Sequence, residues 1–314
     1  MKVIYPDDTL DVKNDIAASV GFFDGVHKGH RYLIEQLKSN ARQAGLPSVV
    51  ITFPIHPRKV LDADYQPKLL TSFEEKLFQL STTGIDYCYV IDFTKELSEF
   101  SASRFLQEKL CKQLRVKQLL IGYDHRFGKG RASSFSDYVE YGKVCGMDVI
   151  QAQQLQEDDI HYSSTFIRDL LMSGDVKKSA DMLSYNYTLE GLVITGDKLG
   201  RKIGFPTANL SIYEKGKVIP MEGIYAVKVH IEGKQYKGMA YIGNRPTVVE
   251  GGEKRIEVNI LNFSEAIYGK TVCLEFVDFL RPDMRFDNLD DLKKQLFDDK
   301  EKTIQALSSL YERG

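Results

Sequence analysis

The chain lacks the features of a secreted or membrane protein. Its first residues, MKVIYPDDTL, contain neither the apolar core nor the small-residue cleavage site of a signal peptide. No stretch reaches the roughly 18 consecutive apolar residues that a membrane-spanning helix needs. The four cysteines are scattered and form no C-x-x-C pair, so the sequence signals neither a zinc site nor a disulfide framework. These absences predict a protein of the reducing cytoplasm that has no membrane partner.

An excess of charge of one sign is also missing. Lysine and arginine number 42 against 44 aspartates and glutamates, for a net charge of −2, so we expect no broad nucleic-acid surface. Local groups can still bind small anions. The chain shows no internal repeat and no low-complexity linker, and nothing in it predicts an obligate protein partner. Its 314 residues predict two domains.

Short apolar runs alternate with helical patterns in the first part of the chain. Short apolar runs predict strands at 16–22, 48–53, 87–93, 118–122 and 147–150, of which 48–53 (SVVITF) is uncharged and rich in β-branched residues. Apolar residues at helical spacing predict helices at 29–44, 73–80, 101–114, 137–145, 164–172 and 176–183. Near-continuously apolar strands separated by helices indicate an α/β domain with a doubly wound parallel sheet.

After Tyr185 the alternation of strand and helix patterns gives way to a series of short strand patterns. Glycines divide the chain into strand candidates at 189–195, 224–231, 235–242, 255–261 and 271–280. Several short strands at close spacing indicate an antiparallel β-barrel, and a final helix is predicted at 289–310. We therefore predict two domains, 1–184 and 185–314.

The decapeptide GFFDGVHKGH, at 21–30, joins the first predicted strand to the first predicted helix. Glycines let backbone N–H groups approach a phosphate, and a helix N-terminus adds partial positive charge. His27 and His30 share one helix face and could stabilise charge developing on a phosphate. A metal site would need a third ligand, and none is nearby in sequence. A merely tight turn would explain the glycines but not both histidines.

A second candidate site lies in TGDKLGRKIGFPTANL, at 195–210. This basic, glycine-rich run is neither a P-loop nor a dinucleotide fingerprint, and is a weak signal for phosphate binding. In an extended segment Thr207 and Asn209 face the same side and offer hard oxygen ligands suited to Mg²⁺. Local turn hydrogen bonds would explain them equally well. Glu257, on the polar face of RIEVNIL, could be catalytic or simply solvated.

These segments resemble the bacterial bifunctional riboflavin kinase/FMN adenylyltransferase (FAD synthetase) family. The H-x-G-H within GFFDGVHKGH is similar to the signature of the nucleotidyltransferase superfamily, and the full decapeptide resembles this branch of it. Further matches follow in order: TFPIHPRKVL (52–61), LLTSFEEKLFQL (69–80), IGYDHRFGKGR (121–131), SSTFIRDLLMSGDV (163–176), GRKIGFPTAN (200–209), IGNRPT (242–247), EVNILNF (257–263) and FLR (279–281). The resemblance covers nearly the whole chain.

The resemblance implies a six-stranded barrel that phosphorylates riboflavin with ATP, and an N-terminal domain that adenylylates FMN to FAD and releases pyrophosphate. The cofactors it implies are Mg²⁺, ATP as co-substrate, and flavins as substrate and product. The catalytic residues it implies are His27, His30 and Glu257, with Thr207 and Asn209 as metal ligands. The implied nucleotide-binding residues are Gly21, Phe22, Phe23, Asp24, Ser163, Ser164, Arg168, Gly200, Arg201, Gly204 and Pro206. The implied flavin-binding residues are Asp124, His125 and Arg281.

Two departures from the family pattern leave alternatives open. His125 stands where the family often has Phe or Tyr, and residues 132–135 read ASSF where a glycine is common. A monofunctional riboflavin kinase with a degenerate first domain is therefore one alternative, although His27, His30, Ser164 and Arg168 argue against it. A flavin-binding regulatory protein is another, but the sequence contains no basic helix-turn-helix and no basic tail.

Overall fold

The computed structural model describes residues 1–6, 8, 15–123, 127–131, 133–155, 162–196, 199–244 and 254–308. The chain divides into two compact units, Met1–Ser164 and Thr165–Gly314. The predicted domain boundary, between 184 and 185, lies later in the chain and stays a prediction. Within the described ranges, no helix combines the length and the apolar character needed to cross a membrane.

The first unit is built on a six-stranded sheet. Its strands are β1 (Lys2–Ile4), β2 (Ile16–Val20), β3 (Ser48–Thr52), β4 (Tyr87–Val90), β5 (Val116–Ile121) and β6 (Asp148–Gln151). Their spatial order is β1-β4-β3-β2-β5-β6, and every neighbouring pair is parallel. This arrangement confirms the predicted doubly wound parallel sheet. The strand order reverses between β2 and β5, and ligands of such sheets bind outside the carboxyl ends of the strands at this switch point.

Helices cover both faces of this sheet. They are α1 (Lys28–Ala44), α2 (Pro57–Leu61), α3 (Phe73–Ser81), α4 (Lys95–Ser98), α5 (Ala102–Arg104), which continues as a π-helix over Phe105–Gln113, and α6 (Phe135–Val144). Alternation along β2 places Ala18 and Val20 in one apolar core and Ala17 in the other. A capping box between Ser72 and Glu75 satisfies free N–H groups and starts α3.

The second unit contains a closed barrel and a final helix. After α7 (Ser164–Met172) and α8 (Val176–Leu183) come β7 (Thr188–Ile194), α9 (Leu199–Lys202), β8 (Ala208–Ile212), β9 (Gly223–Ile231), β10 (Lys234–Asn244), β11 (Lys254–Ile260), β12 (Thr271–Arg281) and α10 (Leu289–Ser308). The barrel order is β10-β11-β8-β7-β12-β9, with antiparallel pairing throughout. The structure therefore confirms the six-stranded antiparallel barrel with a terminal helix.

The structure contains several elements that the sequence patterns do not predict: strands β1 and β8 and the short helices α2, α4 and α9. Strand β8 was not among the predicted strands because ANLSI lacks a clean apolar alternation, yet it fills the gap between β7 and β11. Cys111 and Cys145 form a disulfide, with their Cα atoms 6.4 Å apart. No sequence signal points to this pair, because the two residues are 34 positions apart and belong to no cysteine motif.

Candidate active sites

The turn after β2 holds the first candidate site. Gly21 N donates to Ile51 O at 3.0 Å, which carries the pairing of β2 with β3 one residue beyond the strand. Two non-glycine residues of the turn have positive φ angles, 54° at Phe23 and 38° at Val26. Such conformations are costly and cluster at functional sites. The strained turn lies at the carboxyl end of β2, beside the switch point.

Asp24 anchors this turn from inside. Its side chain is 4% exposed and accepts hydrogen bonds from Leu70 N at 3.0 and 3.1 Å and from Thr71 N at 3.2 Å. Thr71 Oγ1 also accepts from Gly25 N at 3.2 Å. The predicted nucleotide-binding carboxylate is thus engaged with the backbone of the segment before α3, and its observed contacts hold the turn in place.

His27 and His30 lie together at the start of α1. His27 occupies the N-cap position, and its Nδ1 accepts a hydrogen bond from His30 N at 3.4 Å. The two imidazole rings stack with centroids 3.7 Å apart. A Cβ at Gly29 would come within 3.2 Å of the His27 ring, so glycine at this position leaves the ring undisturbed. The predicted histidine pair is therefore a compact unit at a helix N-terminus, where an anion is favoured.

The serine motif reaches the same turn from far along the chain. Ser164 Oγ donates to Asp24 O at 3.0 Å, across a separation of 140 residues. Ser163 directly precedes α7, which begins at Ser164. Arg168 lies on α7 in the second unit. Its relation to the histidine pair stays a prediction.

Two predicted flavin-binding residues, Asp124 and His125, lie outside the described residues. Strand β5, which precedes them in the chain, pairs with β2 at the switch point. The departure at 132–135 also begins outside the described residues, at position 132.

The second candidate site is a cluster of oxygen ligands on β8 and β11. Asn209 and Glu257 are cross-strand partners, so their side chains lie on the same face of the barrel wall. Thr207 Oγ1 donates to Glu257 Oε2 at 2.7 Å. The structure thus brings Thr207 and Asn209 next to Glu257, which lies 50 positions from Thr207 in the sequence. A hydroxyl, an amide and a carboxylate now share one small region.

The glycine loop before β8 packs against this cluster. A Cβ on Gly196 would collide with the Asn209 amide, and one on Gly200 would collide with Phe205 O. Gly204 has a φ of +84°, a left-handed conformation that favours glycine. The Pro206 carbonyl accepts from Asn259 Nδ2 at 2.7 Å. The chain therefore needs small residues here to pass close to the candidate metal ligands.

Sequence reasoning missed two neighbours of Glu257. Arg255 forms an ion pair with Glu257 Oε1, and their spacing of two along a strand was a signal that could have revealed it. Tyr241 lies opposite Glu257 on β10, a pairing that only the strand register shows. Burial and the nearby Asp283 carboxylate, to which its hydroxyl donates at 3.1 Å, raise the pKa of Tyr241 to about 12. Tyr241 therefore stays a protonated hydrogen-bond donor at neutral pH.

The donor atoms of Thr207, Asn209 and Glu257 suit a hard cation. All three side chains offer oxygen, and Mg²⁺ prefers a few protein oxygens together with water and phosphate oxygens. The part of the chain that the structure describes has no cluster of three His, Cys, Asp or Glu side chains able to hold a metal. Metal binding at the barrel would therefore rest on this mixed oxygen set.

Arg281, a predicted flavin-binding residue, is engaged in a buried ion pair. Its Nε lies 3.0 Å from both carboxylate oxygens of Asp299, and its Nη2 lies 2.8 Å from Oδ2. Asp299 is fully buried and also accepts from Gln295 at 2.9 Å. This pair joins the end of β12 to α10. Sequence reasoning missed Asp299, because it is one of several acidic residues on an amphipathic helix.

A histidine pair at the switch point of a doubly wound unit, followed by an oxygen cluster on a closed barrel, defines a class of enzymes that transfer nucleotidyl and phosphoryl groups. The family model described as FAD synthetase matches residues 10–166. The model described as riboflavin kinase matches residues 183–307. The chain belongs to the family of bifunctional riboflavin kinase/FMN adenylyltransferases.

Similar proteins span nearly the full chain. A bifunctional riboflavin kinase/FMN adenylyltransferase of Listeria monocytogenes is 38% identical over 99% of this chain and 99% of its own. The Bacillus subtilis protein of the same name is 35% identical, covering 95% of this chain and 96% of its own. A crystal structure described as a macrolide-efflux protein from Streptococcus pneumoniae has a TM-score of 0.85 at 32% identity, covering 96% of this chain and 99% of that one.

Proposed function

We propose that this chain converts riboflavin to FAD in two steps, each at its own site. The barrel transfers the γ-phosphoryl group of ATP to the riboflavin 5′-hydroxyl, giving FMN and ADP. The N-terminal unit then lets the FMN phosphate attack the α-phosphate of a second ATP, giving FAD and pyrophosphate. The observation that carries the proposal is that one chain holds both the stacked histidine pair and the Thr207–Asn209–Glu257 cluster.

In the kinase reaction, Glu257 orients the riboflavin hydroxyl and accepts its proton. Arg255 and Thr207 each engage one oxygen of this carboxylate, so its direction is set before substrate arrives. Thr207 and Asn209 would hold Mg²⁺, which neutralises phosphate charge when it is bound. The loop residues Gly200, Arg201, Gly204 and Pro206 cradle the ATP phosphates. Phosphoryl transfer needs mainly alignment and charge neutralisation, which this arrangement supplies.

In the adenylyl transfer, His27 and His30 donate hydrogen bonds to the α-phosphate as charge builds on it. No protein base is required, because the FMN phosphate is already ionised at neutral pH. Gly21, Phe22 and Phe23 bring backbone groups to the nucleotide, and Ser163, Ser164 and Arg168 bind phosphates. Asp24 acts through the turn that it anchors.

For the flavin, we retain Asp124 and His125 as proposed contacts at the first site. Arg281 holds α10 against the end of β12 through Asp299, and we propose that the flavin binds beside this junction. The even charge balance supports a protein that binds small molecules without nucleic acid, and we propose that it works in the cytoplasm. The family matches, which leave 167–182 between them, support a domain boundary near 184.

The direct test is incubation of the purified protein with riboflavin and MgATP, with riboflavin, FMN and FAD separated over time. We expect FMN to appear first and FAD to follow. Accumulation of FMN alone would indicate a monofunctional kinase, and no conversion would indicate a flavin sensor. Glu257→Gln should abolish FMN formation while still making FAD from supplied FMN, and His30→Ala should do the reverse.

A further inference from the structure

Lys76 is a buried lysine beside the first site. It lies on α3, and only 2% of its surface is exposed. The roles proposed above for the histidines, serines and turn residues do not use it. Lysine is almost never fully buried unless something specific engages its ammonium group.

The ammonium group of Lys76 joins two strand ends. Its Nζ donates to Phe53 O at 2.7 Å, directly after β3. The same Nζ lies 4.0 Å from the centroid of the Phe22 ring, which is a cation–π distance, and Phe22 follows Gly21 just beyond the end of β2. Thr52 Oγ1 donates to Phe22 O at 3.2 Å and ties the same two segments together. Lys76 therefore lies where three segments of the family pattern meet: GFFDG, TFPIHP and LTSFEEK.

Phe22 connects this ammonium group to the strained turn. The next residue, Phe23, has a φ of 54°, and its ring lies edge-on to His30 with centroids 5.2 Å apart. The carboxylate of Asp24 attracts the Lys76 charge, which adds to its hold on the turn. A displacement of Phe22 would thus be passed to the residues that support the histidine pair.

The charge of Lys76 is held at an energetic cost. Burial lowers the pKa of Lys76 to about 8, although the attraction of Asp24 opposes that shift. Burying an ammonium group costs more than burying an apolar side chain of similar size, because the charge loses its hydration. A group kept at such a cost near a reactive site is a candidate for a functional role.

We infer that Lys76 is a positioning residue for adenylyl transfer: its ammonium group fixes Phe22 and the end of β3, and so holds the turn that presents His27 and His30. This inference rests on the function proposed for the first unit. It assigns Lys76 no contact with substrate. The positive charge acts through the Phe22 ring and the Phe53 carbonyl.

The test compares Lys76→Met, which keeps the length and loses the charge, with Lys76→Arg, which keeps a cation. FAD formation from supplied FMN and MgATP is measured as separate kcat and KM values, and thermal unfolding of each variant is recorded. For Lys76→Met we expect kcat to fall roughly ten-fold or more, because small displacements of catalytic groups have large effects on rate. We expect KM to change less than kcat. Loss of the bond to Phe53 O should lower the unfolding temperature, but we expect the variant to stay folded at the assay temperature. Lys76→Arg should recover part of the lost kcat.

The kinase reaction of the same protein is the internal control, since it takes place in the other unit. Lys95→Met, a change at an exposed lysine on α4, is the matched surface control and should leave both activities unchanged. A Lys76→Met protein that forms FAD as fast as wild type would overturn the inference. So would a loss of activity that matches the fraction of protein unfolded at the assay temperature, since that marks a purely structural role. Equal kcat values for the Met and Arg variants would also overturn it. A wild-type protein that makes no FAD from FMN would instead refute the proposed function.

Discussion

The carboxylate of Asp24 lies between two residues with unfavourable backbone angles. Phe23 and Val26 both have positive φ, and each such residue costs on the order of 1–3 kcal/mol. The backbone N–H groups of Leu70 and Thr71 donate to the Asp24 carboxylate and offset part of this free-energy cost. Hydrogen bonds to a charged acceptor are stronger than those between neutral groups. We infer that the turn keeps its shape through this buried anchor rather than through its own local preferences.

The hydroxyl of Thr71 gives a clean test of the anchor. It accepts from Gly25 N and lies 3.4 Å from Asp24 Oδ1, in a side chain that is 5% exposed. Thr71→Val keeps the shape but removes these bonds, and we expect it to destabilise the first unit by about 1–3 kcal/mol. FAD formation should fall while riboflavin phosphorylation is unchanged. Chemical unfolding and the two half-reactions provide the measurements.

Thr71→Ser is the matched control, because it keeps the hydroxyl and loses only a methyl group. We expect its FAD formation to stay close to that of wild type. If the Val and Ser variants lose activity equally, the methyl packing of Thr71 matters and its hydroxyl does not.

Among the elements, the predictable ones have a strong local pattern. Helices α7 and α8 have the predicted bounds, because apolar residues recur at helical spacing and Asp175 caps α8. Strand β8 could not be found this way. Its Asn209 is 8% exposed although it is polar, since the neighbouring strand and the glycine loop enclose it. Burial of that kind depends on tertiary packing, which no local period encodes.

The site residues also divide into those that a local pattern predicts and those that only the tertiary structure brings together. Motifs predicted the histidine pair and the Thr-x-Asn ligands, because their members are close in sequence. Partners that come from other strands or helices, such as Tyr241 and Asp299, depend on barrel register and helix docking. The strand spacing of Arg255 and Glu257 is the exception, as both lie on one face of β11.

The junction of β12 and α10 depends on the buried pair of Arg281 and Asp299. Asp299→Ala would leave the guanidinium, whose side chain is 11% exposed, without its carboxylate. Breaking a buried pair in this way costs about 3–5 kcal/mol, so we expect a comparable loss in the unfolding free energy of the second unit. The double variant Arg281→Met, Asp299→Leu should recover most of that loss, because it removes both charges. Denaturant unfolding of wild type, Arg281→Met, Asp299→Leu and the double variant gives the coupling free energy. Additive effects would show that the two side chains do not act as a pair.

At the scale of the whole molecule, the chain consists of two compact units, and each proposed reaction has its catalytic residues in one of them. The histidine pair belongs to Met1–Ser164, and the oxygen cluster belongs to Thr165–Gly314. Each unit also has its own apolar cores. Because the catalytic residues of each reaction lie in one unit, a substitution can inactivate one reaction and leave the other intact. Only FMN, the product of one site and the substrate of the other, needs to pass between them.

This separation predicts that two inactive proteins will complement each other. Glu257→Gln alone should make no FAD from riboflavin, and His30→Ala alone should stop at FMN. Mixed in equal amounts with riboflavin and MgATP, they should form FAD after a lag, because FMN made by one protein must diffuse to the other. A protein that binds free FMN tightly, added in excess, should suppress FAD formation in the mixture. If each variant keeps its own half-reaction but the mixture makes no FAD, the barrel does not release FMN to solution. If Glu257→Gln also fails to convert supplied FMN, although it is folded, then the two sites are not independent.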